Sequence, residues 1–153
     1  MGRCVCTGGK GGIDIAATAL RAQRNAMNEN EIAEGLVEAA FRVHRELGPG
    51  LLENAYLYCL TFEAAELGFK CEMQVPLPLQ YRSVKLDAGY RLDLWVERKV
   101  IVEVKAVDAL HPVHSAQLIT YLKLTGNRLG LLINFNEKLL KNGLRRIANG
   151  MPG

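Results

Sequence analysis

Between Tyr90 and Ala106 apolar residues recur at every second position, first at Leu92, Leu94 and Val96, then at Val100, Val102 and Val104. That period-2 pattern predicts two β-strands, each with one buried face. Arg91, Asp93, Glu103 and Lys105 fall on the opposite parity. A three-residue turn at Glu97-Arg98-Lys99 keeps the two patterns in phase. It pairs Val96 with Val100, Leu94 with Val102 and Leu92 with Val104, and it sets Asp93 opposite Glu103 and Arg91 opposite Lys105. A two-residue turn would put Asp93 against Val104 and mix the faces, because a one-residue slip inverts every side chain. Directly opposed Cβ atoms lie about 4.5–5.5 Å apart. Two carboxylates at that distance repel unless a proton or a cation sits between them. A divalent metal is the candidate, with Lys105 beside it.

Helical periods flank the hairpin. Asn28 followed by Glu31 has the form of a capping box, and Ile32, Leu36, Ala39, Ala40, Val43 and Leu47 mark one face of a helix that stops at Gly48. After the Gly48-Pro49-Gly50 break a second helix is expected over about Leu51 to Leu67. Glu53, Tyr56 and Leu60 share one of its faces. Glu53 is then either a solvated residue favoured by the helix dipole or a carboxylate aimed inward. Phe69 to Gln80 reads as a strand, with Pro76 and Pro78 marking an edge or a bulge, and Val84 to Asp87 as its continuation into the hairpin. A helix is expected from about Pro112 to Leu124, ended by Gly126. Leu129 to Phe135 is an apolar run that fits a buried strand. From Asn136 the spacing of Leu139, Leu140, Leu144 and Ile147 predicts a terminal helix, with Lys138, Lys141, Arg145 and Arg146 facing water. The order is α-α-β-β-β-α-β-α, an α/β (α+β) domain with a central mixed β-sheet flanked by helices.

Length and composition bound the possibilities. A chain of 153 residues, 49% hydrophobic and 23% charged, suits one globular domain. No apolar run reaches the roughly 20 residues of a membrane span. The net charge of +3 resides in residues 1–26, where Arg3, Lys10, Arg21 and Arg24 face only Asp14. The rest is neutral, so nucleic-acid binding must be argued from a local site. Cys4, Cys6, Cys59 and Cys71 have neither metal-ligand nor disulfide-framework spacing, which fits a reducing, cytoplasmic setting. Residues 1–26 lack the apolar core of a signal peptide. They are expected to be a disordered extension ahead of Met27, with a short basic helix over Ala16 to Ala26 as the alternative. Gly8-Gly9-Lys10-Gly11-Gly12 resembles a phosphate loop, but no strand precedes it and no Gly-Lys-Ser/Thr follows. Residues 27–153 form the expected domain.

On the helix after the hairpin, Gln117 and Tyr121 are four apart and share a face, with His114 three residues earlier. Alone, such a pair suits hydrogen-bonded packing, and His111 and His114 suit helix capping or surface positions. Together, Asp93, Glu103-Val104-Lys105, Gln117-x-x-x-Tyr121 and the earlier Glu53 resemble the PD-(D/E)XK nuclease superfamily, in the branch with a Gln-x-x-x-Tyr helix. Gly50-Leu51-Leu52-Glu53-Asn54-Ala55-Tyr56 is similar to the signature of the GxxExxY protein family. The resemblance spans about Met27 to Asn149. One departure is Leu92, where the superfamily has Pro before the Asp.

The resemblance implies a restriction-endonuclease-like core and hydrolysis of DNA phosphodiesters in repair, mobile-element processing or defence. It implies Mg²⁺, with Mn²⁺ as a substitute, held by Asp93, Glu103, the carbonyl of Val104 and, directly or through water, Glu53. Lys105 would orient the attacking water or stabilise the pentavalent state, and Gln117 and Tyr121 would position Lys105, water or the nucleic-acid backbone. Mg²⁺ suits such a set because it takes oxygen ligands and keeps several waters. Two alternatives stay open. The hairpin charges would form an ordinary surface ion pair, worth little. Or the chain would be a catalytically silent nuclease-fold module that binds nucleic acid or a protein partner. With so short a chain, a homodimer or a partner protein would supply the remaining grip on DNA.

Overall fold

The computed structural model describes residues 14–150. Cys4, Cys6 and the Gly8–Gly12 stretch lie outside them. The described residues form four α-helices and a five-stranded mixed sheet, with a small two-stranded ribbon beside it. The helices are α1 (Ile15–Ala26), α2 (Glu29–Leu47), α3 (Glu53–Glu66) and α4 (Pro112–Thr125). The sheet runs in the order β1 (Cys71–Pro76), β4 (Arg91–Val96), β5 (Val100–Lys105), β6 (Leu129–Asn134), β7 (Leu144–Ala148), and the ribbon pairs β2 (Leu79–Tyr81) with β3 (Val84–Leu86). β5 and β6 are parallel and joined through α4; the other pairs are antiparallel. This is the mixed sheet flanked by helices that the pattern predicts.

Two cores lie on either side of the sheet. Ile32, Leu36, Ala40 and Val43 of α2 and Tyr56, Leu57 and Leu60 of α3 pack on Leu94, Val96, Val102, Val104, Leu131 and Ile133. On the opposite side Leu118, Tyr121 and Leu122 of α4 pack on Leu92, Ile101 and Leu132. α4 sits close because β6 has a glycine beneath it: a Cβ on Gly130 would lie 2.9 Å from the Leu118 side chain.

The capping box of α2 forms as its spacing requires. Asn28 Oδ1 accepts the Glu31 N–H at 3.0 Å and Glu31 Oε2 accepts the Asn28 N–H at 2.8 Å. The break before α3 is held by one buried hydroxyl. Tyr56 donates to the Gly48 carbonyl at 2.6 Å, accepts the Leu51 N–H at 3.1 Å and stacks its ring on Phe135 at 4.7 Å. Gly48 and Gly50 between them have φ of 64° and 106°, which glycine adopts without Cβ strain. The loop is thus anchored from below by the first turn of the helix it leads into.

Four expectations need correction. The C-terminal stretch is not a helix: a 3₁₀ turn at Leu140–Gly143 leads into β7. Leu144 packs on the α2–α3 side and Ile147 on the α4 side, as residues three apart do on a strand. The reason is tertiary. β6 is buried along its whole length and would otherwise leave an apolar edge unpaired. Lys138, Lys141, Arg145 and Arg146 do face solvent. Second, the Val84 stretch does not extend the central hairpin; it pairs with β2 in the separate ribbon. Third, Ile15–Ala26 is helical, the alternative to disorder, started by Asp14, whose carboxylate accepts the Ala16 and Ala17 N–H groups at 3.1 and 3.3 Å. Fourth, Leu92 does not share the face of Leu94 and Val96, for the reason given below.

The β4–β5 turn keeps the predicted register, with Leu94, Trp95 and Val96 opposite Val102, Ile101 and Val100. Glu97 and Arg98 both have positive φ, 51° and 55°, without being glycine. Such residues cost about 1 kcal/mol or more each unless their surroundings hold them. Here the surroundings do. Glu97 exchanges two hydrogen bonds with Lys70, Arg98 makes a two-pronged ion pair with Glu72 at 2.5 and 2.7 Å, and the Arg98 carbonyl accepts from Asn127 at 2.8 Å.

Replacing Tyr56 with Phe leaves the ring stack and removes both hydroxyl bonds. We expect Tyr56→Phe to lower unfolding free energy by about 1–2 kcal/mol in urea titration; an unchanged midpoint would show that the loop holds itself.

Candidate functional site

The site forms where the central ladder fails. Regular β4–β5 pairing ends at Leu94 and Val102, and β1–β4 pairing skips Gln74 and Asp93 before resuming at Val75 and Leu92. Gln74 has φ of 52°, outside the strand region. Two side chains take over the missing bonds. The Asp93 carboxylate accepts the Val104 N–H at 2.9 Å, and the Glu103 carboxylate accepts the Asp93 N–H at 3.3 Å. β4 therefore kinks at Asp93, which explains why Leu92 packs under α4 while Leu94 and Val96 pack under α2 and α3. The expected pairing of Leu92 with Val104 is lost at this kink. Lys105 gives its carbonyl to the Phe135 N–H, just past the end of β6, at 2.9 Å. Strand alternation then turns the N–H and carbonyl of Val104 towards β4.

The electrostatics follow from burial. Glu103 is 3% exposed. Burial, and then the Asp93 charge beside it, push its carboxyl up to about 9. Burial also raises Asp93, against the Val104 N–H and the Lys105 charge, which favour its ionised form. A hydrogen bond links the two carboxyl groups. Without a cation, burial and the neighbouring Asp93 charge therefore favour the protonated form of Glu103. No Lys or Arg ion pair to either is found among the described residues.

The other expected residues converge on this pair. Glu53 opens α3 and is half-buried; burial raises its carboxyl, with Lys105 and the Ala106 N–H opposing and Asp93 adding to the shift. It is thus partly shielded from solvent and near Lys105 and Asp93. From the other layer, Gln117 Nε2 donates to the Tyr121 hydroxyl at 2.7 Å. Burial, followed by the Glu103 and Asp93 charges, raises the Tyr121 phenol. Its hydroxyl looks towards the carboxylates. His111 and His114 do cap α4, with His114 Nδ1 accepting the His111 N–H at 3.0 Å. Among the described residues no three acidic, His or Cys side chains cluster tightly enough to enclose an ion. The oxygens that could meet a cation at this place are the Asp93 and Glu103 carboxylates and the Val104 carbonyl.

A family model of the PD-(D/E)XK nuclease superfamily matches residues 30–147. The chain belongs to that superfamily. The match begins downstream of α1. No curated protein and no solved structure matches the chain.

One supporting residue escaped the sequence reading. Asn134 is fully buried at the end of β6, where its amide accepts the Val107 N–H at 3.0 Å and donates to the Val107 carbonyl at 2.8 Å. It fixes the chain just after Lys105. The signal was available: Asn134 is the one polar side chain in the run Leu129 to Phe135.

The raised Glu103 carboxyl sets a pH dependence. The folded state holds a proton that the unfolded chain releases near pH 4.5, so stability falls as pH rises from there towards about 9. In EDTA we expect the melting temperature to drop between pH 5 and pH 9, and the drop to be smaller in Glu103→Gln. Equal slopes would mean that Glu103 ionises freely in the folded protein.

Proposed function

We propose that the protein is a Mg²⁺-dependent nuclease that hydrolyses DNA phosphodiester bonds, with Mn²⁺ able to replace Mg²⁺. The observation that carries this is the pairing of half-buried Asp93 with buried Glu103 at the break in the β4–β5 ladder, with Glu53, Lys105 and Tyr121 close enough to act on their charges and Gln117 bonded to Tyr121. An acidic pair without a cationic partner is costly to keep buried for packing alone. The ordinary surface ion pair is disfavoured by the same burial.

Asp93, Glu103 and the Val104 carbonyl would hold the metal, with Glu53 joining through water. A bound divalent ion would supply charge neutralisation at the phosphate and a more acidic water. The chain's own groups do the remainder. Lys105, one residue beyond the Val104 carbonyl, offers an ammonium to a phosphate oxygen and orients the attacking water. Gln117 holds the Tyr121 hydroxyl, which leaves the phenolic proton free to be donated to the carboxylate pair or to a substrate oxygen. Glu53 takes a hydrogen bond from water in the same space. Residues 27–153 would be the whole catalytic domain, acting as a homodimer or with a partner protein where a wider DNA grip is needed.

The test combines binding and turnover. We expect Mg²⁺ uptake by calorimetry with proton release, because the raised Glu103 carboxyl must ionise to hold the ion. With Mg²⁺ or Mn²⁺, DNA should be cleaved, and Asp93→Asn, Glu103→Gln and Lys105→Ala should each lower the rate at least about a hundredfold. Cleavage that survives Asp93→Asn would sink the assignment. DNA binding without metal uptake or cleavage would favour the silent module.

A further inference from the structure

The β2–β3 ribbon carries an apolar face that the two cores do not absorb. Leu79 pairs with Leu86 and Tyr81 with Val84, and directly paired residues share a face. Tyr81, Val84 and Leu86 on that face are 59%, 52% and 42% exposed. Leu79 at the root of the same face lines a hollow of about 450 Å³ against α4. The hollow is walled by Leu79, Tyr90, Val113, Gln117, Tyr121 and Leu124, so it shares Gln117 and Tyr121 with the candidate site. Tyr90 stands edge-on to Tyr121, with ring centroids 6.3 Å apart.

Cations flank this apolar surface. Arg82 at the ribbon tip lies over the Tyr81 ring at 5.5 Å, Arg91 is exposed beside Tyr90, and Lys85, paired with Gln80, is exposed on the other face of the ribbon. Asp87 is the one acidic residue between Leu79 and Arg91, and its carboxylate is turned onto the Gly89 N–H at 3.3 Å. Aromatic faces interleaved with cations are what single-stranded nucleic acid needs, since bases stack on the rings while phosphates meet the charges. A base inside a duplex has no free π-face to offer. An apolar hollow with a few polar groups in its wall also suits one planar heterocycle.

We propose that the hollow takes an unpaired nucleobase next to the scissile phosphate, and that the ribbon face stacks the bases that follow. The substrate is then DNA with a single-stranded segment, such as a flap, an overhang or a branch, rather than intact duplex. This rests on the nuclease reading, because only that reading puts a phosphodiester beside Gln117 and Tyr121. Arg82, Lys85 and Arg91 follow the backbone of the unpaired strand.

The experiment is fluorescence polarisation of labelled oligothymidylate and of a blunt duplex on the full chain in EDTA, with circular dichroism to check the fold. We expect the single strand to bind more tightly than the duplex. Tyr90→Ala and Tyr81→Ala should each weaken single-strand binding on the order of tenfold, and Arg82→Glu with Lys85→Glu should reduce its salt dependence. The two tyrosines are exposed enough for at least the Tyr81 variant to fold. Equal single-strand affinity in wild type and both tyrosine variants would overturn the proposal. So would self-association abolished by Tyr81→Ala without oligonucleotide binding, which would make the ribbon a contact between copies. Mg²⁺ calorimetry on the same samples separates the two readings. Metal uptake with no preference for single strand removes the base site and leaves the nuclease reading intact. Tyrosine-dependent single-strand binding without metal uptake keeps the base site and removes the nuclease.

Discussion

The central constraint is a pair of strands that stop bonding to each other through their backbones. Beyond Leu94 and Val102, the direct bonds between β4 and β5 are those in which the Asp93 and Glu103 carboxylates take up the Val104 and Asp93 N–H groups. Backbone donors left unpaired in a buried sheet are costly, so these two side chains are structural as well as chemical. The same exchange produces the kink that sends Leu92 to the α4 side and turns the Val104 main chain towards β4. Fold and site meet at one break in the sheet.

Around that break the chain brings three layers to a point. α3 approaches from one face and contributes Glu53 from its first turn, at the end of a loop tied down by the Tyr56 hydroxyl. α4 approaches from the other and contributes Gln117 and Tyr121, brought near by the absence of a Cβ on Gly130. Asn134 steadies the chain leaving Lys105. None of the converging side chains is adjacent in sequence to those of another element.

Much of this was legible from residue spacing. The hairpin register, the α2 capping box and the α4 limits follow from short-range patterns that tertiary packing leaves intact, whereas spacing left Glu53 open and only the superfamily resemblance grouped it with Gln117 and Tyr121. What failed was long-range. Leu139, Leu140, Leu144 and Ile147 satisfy a helical period equally well, and only the bare edge of β6 decides for a strand. Likewise strict alternation predicted one face for Leu92, Leu94 and Val96, and could not register a kink whose cause is a side chain on the neighbouring strand. The Val84 stretch is exposed on every residue of its short strand, so no alternation linked it to either sheet.

The turn at Glu97 and Arg98 gives the sheet two unlike poles. At that end the β4–β5 connection is bolted to β1 through Lys70 and Glu72 and to the segment after α4 through Asn127. At the other end the same strands separate, and two carboxylates bridge them. There β1 still pairs with β4 through Leu92 and Arg91, and β6 still pairs with β5 through Lys105, so each strand is held from its outer edge. The opening between Asp93 and Glu103 is thus a fixed slot within the sheet, its sides set by Leu92 in one core and Val104 in the other.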